Sequence, residues 1–115
     1  MSNLNMSRLE RRQTPRYRLR LDSWVSIDSG HQYGGVVMDV SHRGCRLHSF
    51  MPVRDGMACQ LQLRLPGNVA PLLISGATVR WIHQALCGIE FLLLDPLEAE
   101  RLDQMMMTLP STAST

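Results

Sequence analysis

From residue 22 onward, short apolar stretches alternate with turn-forming residues every eight to twelve positions or so, the rhythm of an antiparallel sandwich or barrel. Six stretches read as strands: WVSI (24–27), GVVMDV (35–40), CRLHSF (45–50), CQLQLRL (59–65), LLISGATVRWI (72–82) and LCGIEFLLL (86–94). SGHQYGG, HRG, MPVRDG, PGNVAP and HQA connect them. Within LQLRL, Leu61, Leu63 and Leu65 face one side and Gln62 and Arg64 the other, as in a half-buried antiparallel strand. Such a sheet has to hide its edges, and closing into a barrel does so.

The period then changes. Asp95 suits an N-cap and Pro96 the first helical position, while Glu98 and Glu100 stand in the first turn, where the helix dipole favours acids. At the helical repeat, Ala99, Leu102, Met105, Met106 and Leu109 share a face, with Leu97 and Met107 outside it. This predicts a helix that lids the barrel, its methionines serving as adaptable core packing. The polar first ten residues read as a flexible N-terminal arm, 11–109 as one domain and 110–115 as a disordered tail.

The chain has 115 residues and a formal net charge of +2, and its twelve basic residues are all arginine. Half of these fall between Arg8 and Arg20, where Glu10 is the only acid. The charge is therefore local and points to an anionic partner. The first twenty residues contain no apolar leader, and no stretch of the sequence is long or apolar enough to span a bilayer, so the expected location is the cytoplasm. Cys45, Cys59 and Cys87 are odd in number and far apart, which fits neither a disulfide framework nor a zinc site; they read as buried thiols in a reducing compartment. The four histidines have no metal-ligand spacing, and no nucleophile has an evident base, so a catalytic set, a metal and a cofactor are all expected to be absent.

The densest chemistry lies in RRQTPRYRLR (11–20). Arg12 and Arg16 are four apart, as on a helix face, but Pro15 breaks a helix and pushes Thr14 to extended geometry. The segment therefore reads as a stiffened loop leading into the first strand. Guanidinium forks held this way bind phosphate bidentately, pair with the O6 and N7 acceptors of guanine, and stack on purines. A second cluster, DVSHRG (39–44), places Asp39 and Ser41 two apart and so on one side of an extended chain, while Gly44 lets the backbone turn closely against a neighbour. A carboxylate beside a hydroxyl can accept from the N1 and N2 hydrogens of guanine. An ordinary turn at the end of a hairpin strand would use the same residues.

RRQTPR followed by DVSHRG resembles the paired RxxxR and DxSxxG motifs of the PilZ domain family of bacterial cyclic di-GMP receptors, and VRW (79–81) and CGIEF (87–91) are similar to that family's late strand pair. The resemblance covers about residues 11–107. It implies a mainly β fold, a six-stranded antiparallel split β-barrel with a C-terminal α-helix packed on it. It also implies that Arg12 and Arg16 grip phosphate and guanine and that Asp39, Ser41 and Gly44 hold a guanine edge. Arg11, just before the motif, stands where similar domains that bind two stacked nucleotides carry an arginine. Trp81 matches an aromatic position near the ligand in some relatives and either stacks on guanine or belongs to the core. Arg8, Arg18, Arg20 and Arg46 have no motif role and add only to the local field. The sequence departs from the pattern at Arg43, where the family often has a small residue; Arg43 or the preceding His42 either reaches a phosphate or constrains the turn.

The expected function is that of a non-enzymatic cyclic di-GMP receptor whose arginine arm rearranges on binding and signals to a separate, unidentified protein or through homo-oligomerisation. Two rivals are a barrel that serves as a protein adaptor without nucleotide, as in motility or pilus assembly, and a small nucleic-acid-binding barrel. Aromatic residues make up 5% of the chain, a poor supply of stacking platforms for a single strand.

Overall fold

The computed structural model describes residues 16–27, 30–49 and 52–109. Within them run β1 (Tyr17–Ile27), β2 (Gln32–Val40), β3 (Gly44–Ser49), β4 (Ala58–Leu63), β5 (Leu72–His83), β6 (Leu86–Leu93) and α1 (Pro96–Met107). All strand pairs are antiparallel and close in the order β1-β2-β3-β6-β5-β4, so the sheet is a barrel and not a sandwich.

β1 corrects the expectation of a loop up to Trp24. Tyr17, Leu19, Leu21, Ser23 and Val25 alternate with Arg18, Arg20, Asp22 and Trp24, and the first set is the more buried one throughout. This is a period-2 strand in which arginine fills the outward positions, so the charge conceals the pattern. β2 likewise begins earlier than expected, at Gln32, and takes in Gly34 and Gly35. The Trp24 ring covers Gly34, and a Cβ on Gly35 would stand 3.0 Å from the His48 carbonyl oxygen. These glycines serve strand packing as well as turning.

One row of cross-strand partners, Tyr17, Val40, Cys45, Ile89 and Val79, points inward. Leu47, Leu61, Leu63, Leu72 and Ile74 add to a fully enclosed core. All three cysteines are buried within it as free thiols. Burial pushes each thiol up: Cys59 to about 11, with Cys87 adding a smaller push, and Cys45 further still.

α1 packs on β5 and inserts Leu102 and Met106 into the core, with Met105 beside them, while Leu97 and Met107 face outward. Pro96 opens the helix as expected, but the Asp95 side chain makes no capping bond. Glu98 is the acid that anchors this end. Its Oε1 accepts from the Leu73 N–H at 3.3 Å and from Arg101 at 3.0 Å, and Arg101 also donates to the carbonyls of Ala70 and Pro71. Among the described residues, no helix is long and apolar enough to cross a membrane.

Candidate functional site

The chemistry collects on the outer face of the barrel, where a second cross-strand row runs Arg18, Asp39, Arg46, Gly88 and Trp81 across β1, β2, β3, β6 and β5. Irregularities in the ladders bracket this row. β2 carries an extra residue at Met38 relative to β3, and β5 carries one at Arg80 relative to β6. Such bulges re-aim the side chains that follow them. Here they set Asp39 opposite Arg46 and Trp81 opposite Gly88.

Gly88 is the floor. A Cβ there would lie 2.1 Å from Nε1 of Trp81, so the indole rests directly on the β6 backbone. Trp81 is 40% exposed, which rules out the core reading and leaves one face of the ring to solvent. Gly44 serves a different contact: a Cβ would stand 2.1 Å from the Ile89 carbonyl oxygen, where β3 pairs with β6. The turn before it closes by a bond of 2.8 Å from the Ser41 N–H to the Gly44 carbonyl, and the Ser41 hydroxyl accepts from the Arg43 N–H at 3.2 Å.

Over this floor opens a cleft of about 300 Å³ lined by Arg16, Ser41, Arg43, Gly44, Cys45, Arg80, Trp81, Gly88, Ile89 and Glu90. Its size and mixed polar and apolar walls suit one flat heteroaromatic ring with an anionic group attached. Arg80 pairs with Glu90 on one side. Arg43 stands at the rim and has no ion-pair partner among the described residues. His42 turns away from the cleft and hydrogen-bonds Asp103 on α1, tying the loop to the helix.

Asp39 lies one contact behind the wall. It is 4% exposed because two guanidinium groups cover it. Arg16 approaches from the solvent side through Nη1, at 3.3 Å from Oδ1 and 3.5 Å from Oδ2. Arg46, directly across on β3, donates through both Nε and Nη2 to Oδ2.

Of the residues singled out from the sequence, the fold brings Arg16, Ser41, Gly44 and Trp81 to one cleft, with Asp39 behind Arg16. Arg11 and Arg12 lie outside the described residues. Arg46 corrects the expectation that it merely adds field, because it is the second cation on Asp39. Its signal was register: a hairpin pairing Val40 with Cys45 sets Asp39 opposite Arg46. Arg43 and Arg80 complete the cationic lining; of the two, sequence reasoning missed Arg80, which the bulge in β5 directs there.

Comparison with known proteins gives a consistent picture. The family model described as PilZ domain matches residues 10–108. No curated protein matches the chain. Among solved structures, the PilZ domain of CeSA from a cellulose-synthesizing bacterium is similar at a TM-score of 0.66 and 14% identity, covering 81% of this chain and 95% of that one. The Bacillus subtilis inhibitor of motility MotI/DgrA is similar at a TM-score of 0.68 and 18% identity. That likeness covers 84% of this chain but only 49% of MotI/DgrA. At these identities the two structures speak for the fold alone.

Proposed function

Because the chain belongs to the PilZ domain family, we propose that it is a cyclic di-GMP receptor that acts by binding and rearrangement in the cytoplasm, and not by catalysis. The observation that most supports this reading is the meeting of the two motifs. Arg16 of the first and Ser41 and Gly44 of the second border one cleft, with the Trp81 ring across it and the Asp39 carboxylate immediately behind Arg16.

The parts have a division of labour. The indole face on Gly88 offers a stacking surface for guanine. Asp39 and Ser41 offer acceptors and a hydroxyl to the base edge. The guanidinium groups of Arg16 and Arg43, with those of Arg11 and Arg12 from the preceding segment, supply charge-assisted hydrogen bonds to phosphate. Arg16 is engaged with Asp39, so nucleotide competes for that arginine and draws the segment before β1 toward the cleft. The change in surface is then read by a separate protein or by a second copy of the chain.

Losing one buried, charge-paired arginine contact costs ~2–5 kcal/mol, and each ~1.4 kcal/mol is tenfold in affinity. Calorimetric titration with cyclic di-GMP is therefore expected to show saturable binding by the parent chain and near loss of it in an Arg12→Ala, Arg16→Ala variant. Arg64→Ala, just past the end of β4 and outside the cleft lining, should bind as the parent does. A flat titration of the folded parent chain would overturn the reading and favour a nucleotide-free adaptor.

A further inference from the structure

We propose that Arg46 is the positioning residue of the guanine site, holding one oxygen of Asp39 in place while Arg16 gives up the other to the nucleotide. The inference rests on the reading of the cleft given above. Its basis is the unequal way in which the two cations share one carboxylate.

Both side chains are part-exposed, 50% for Arg16 and 43% for Arg46, but Arg16 puts a single nitrogen on Asp39, at 3.3 Å from Oδ1 and 3.5 Å from Oδ2. Arg46 spends two nitrogens, both on Oδ2, and is fixed by a strand whose register sets it directly opposite Asp39. On Asp39 itself, then, the Arg16 contact is the lighter one, whereas Arg46 cannot leave without breaking two contacts and its place in the strand. Asp39 itself is buried, and a buried carboxylate stripped of all cations is strongly disfavoured. With Arg46 in place, Asp39 keeps a counter-ion when Arg16 turns to the nucleotide.

The geometry also divides the work between the oxygens. Two nitrogens on Oδ2 fix the plane of the carboxylate and leave Oδ1 as the acceptor that opens when Arg16 departs. Arg16, the residue on Oδ1, itself lines the cleft, so its departure frees an acceptor next to the place proposed for the N1 and N2 hydrogens of a guanine edge. In the outer row Arg46 also stands between Asp39 and Gly88, so the residue that orients the carboxylate adjoins the floor on which Trp81 lies. If Arg46 acts through Asp39, its removal should erase discrimination at the base edge. A general loss of charge or folding would instead weaken every nucleotide alike.

The test titrates the full chain with cyclic di-GMP and with its inosine analogue, which lacks the exocyclic amine. The parent is expected to prefer cyclic di-GMP, and Arg46→Gln to lose tenfold or more in affinity for it, roughly one hydrogen-bonded pair to a charged group. The analogue should lose much less, so that the preference collapses toward unity. Arg46→Lys, which keeps the charge but not the fork, should recover part of the preference. In an Asp39→Asn background, Arg46→Gln should cause no further loss; this variant pair also leaves no unpaired buried charge, so it tests the coupling if Arg46→Gln alone folds poorly. An Arg46→Gln chain that binds within twofold of the parent, or that weakens both nucleotides by one factor, would overturn the inference. Additive losses in the Asp39→Asn background would do the same. Failure of the parent itself to bind would instead remove the underlying reading, and this inference with it.

Discussion

Gly44 and Gly88 each lie against a neighbour that leaves no room for a methyl group, but the neighbours differ in kind. At Gly44 the obstacle is a backbone carbonyl, Ile89 O, which cannot move without parting β3 from β6. At Gly88 it is the Trp81 indole, a side chain free to rotate outward. Gly44→Ala is thus expected to lower stability by about 1–3 kcal/mol in urea melts, as overpacking against a fixed group does. Gly88→Ala should keep most of the stability yet lift the ring from its bed. In a Trp24→Phe background, where Trp81 is the sole tryptophan, this should appear as a change in emission and as weaker nucleotide binding. The glycine at 44 could be flagged from its motif. The one at 88 could not, because its need arises only once a bulge at Arg80 brings Trp81 opposite it. Arg46 was hidden in the same way, since an arginine two residues past a turn acquires meaning only when the hairpin register is known.

At the level of elements, α1 was the easiest to read and β1 the hardest. The apolar stripe of the helix was plain in the spacing of Leu102 and Met106, and those are its two fully buried residues. Truncating either to alanine should cost about 2–5 kcal/mol. Asp95→Ala should change stability by less than about 0.5 kcal/mol, because the side chain makes no cap bond and the anchoring is done by Glu98 and Arg101. Thermal melts of the three variants would separate these contributions. β1 was obscured because a half-buried strand normally announces itself by apolar residues alternating with mixed polar ones. Here the outward positions Arg18 and Arg20 belonged to a run of arginines that suggested a ligand-binding loop throughout. The two patterns meet at Arg16, where the motif ends and the strand is about to start.

For the molecule as a whole, the cysteines tie stability to alkaline pH. A thiol in the unfolded chain ionises near 9.0, whereas burial holds Cys59 at about 11 in the folded one. Between these values the unfolded form sheds its proton first, so its population is favoured as the pH rises. The contribution is complete below pH 9 and is lost as the pH climbs through 11, with Cys45 and Cys87 shifted in the same direction. Urea melts across that window should show stability declining with pH, and Cys59→Val should flatten part of the slope. Burial of the thiols was foreseeable from their apolar neighbours in sequence. Their shared enclosure was not, since it depends on β3, β4 and β6 meeting around one core.

Barrel closure has a further consequence at β1. Its ladder with β4 spans Ser23–Ile27, whereas its ladder with β2 extends to Tyr17. The last bond on the β4 side runs from the Arg64 N–H to the Asp22 carbonyl at 2.9 Å, so from Tyr17 to Leu21 the strand has no ladder partner on that flank among the described residues. Arg18 and Arg20 project from that stretch, and bulky like charges deter a second chain from adding a strand there. Replacing both with threonine should let copies of the protein zip together edge to edge, visible as concentration-dependent growth in sedimentation. The same arginines that make the segment attractive to an anion would then also be what keeps each molecule to itself.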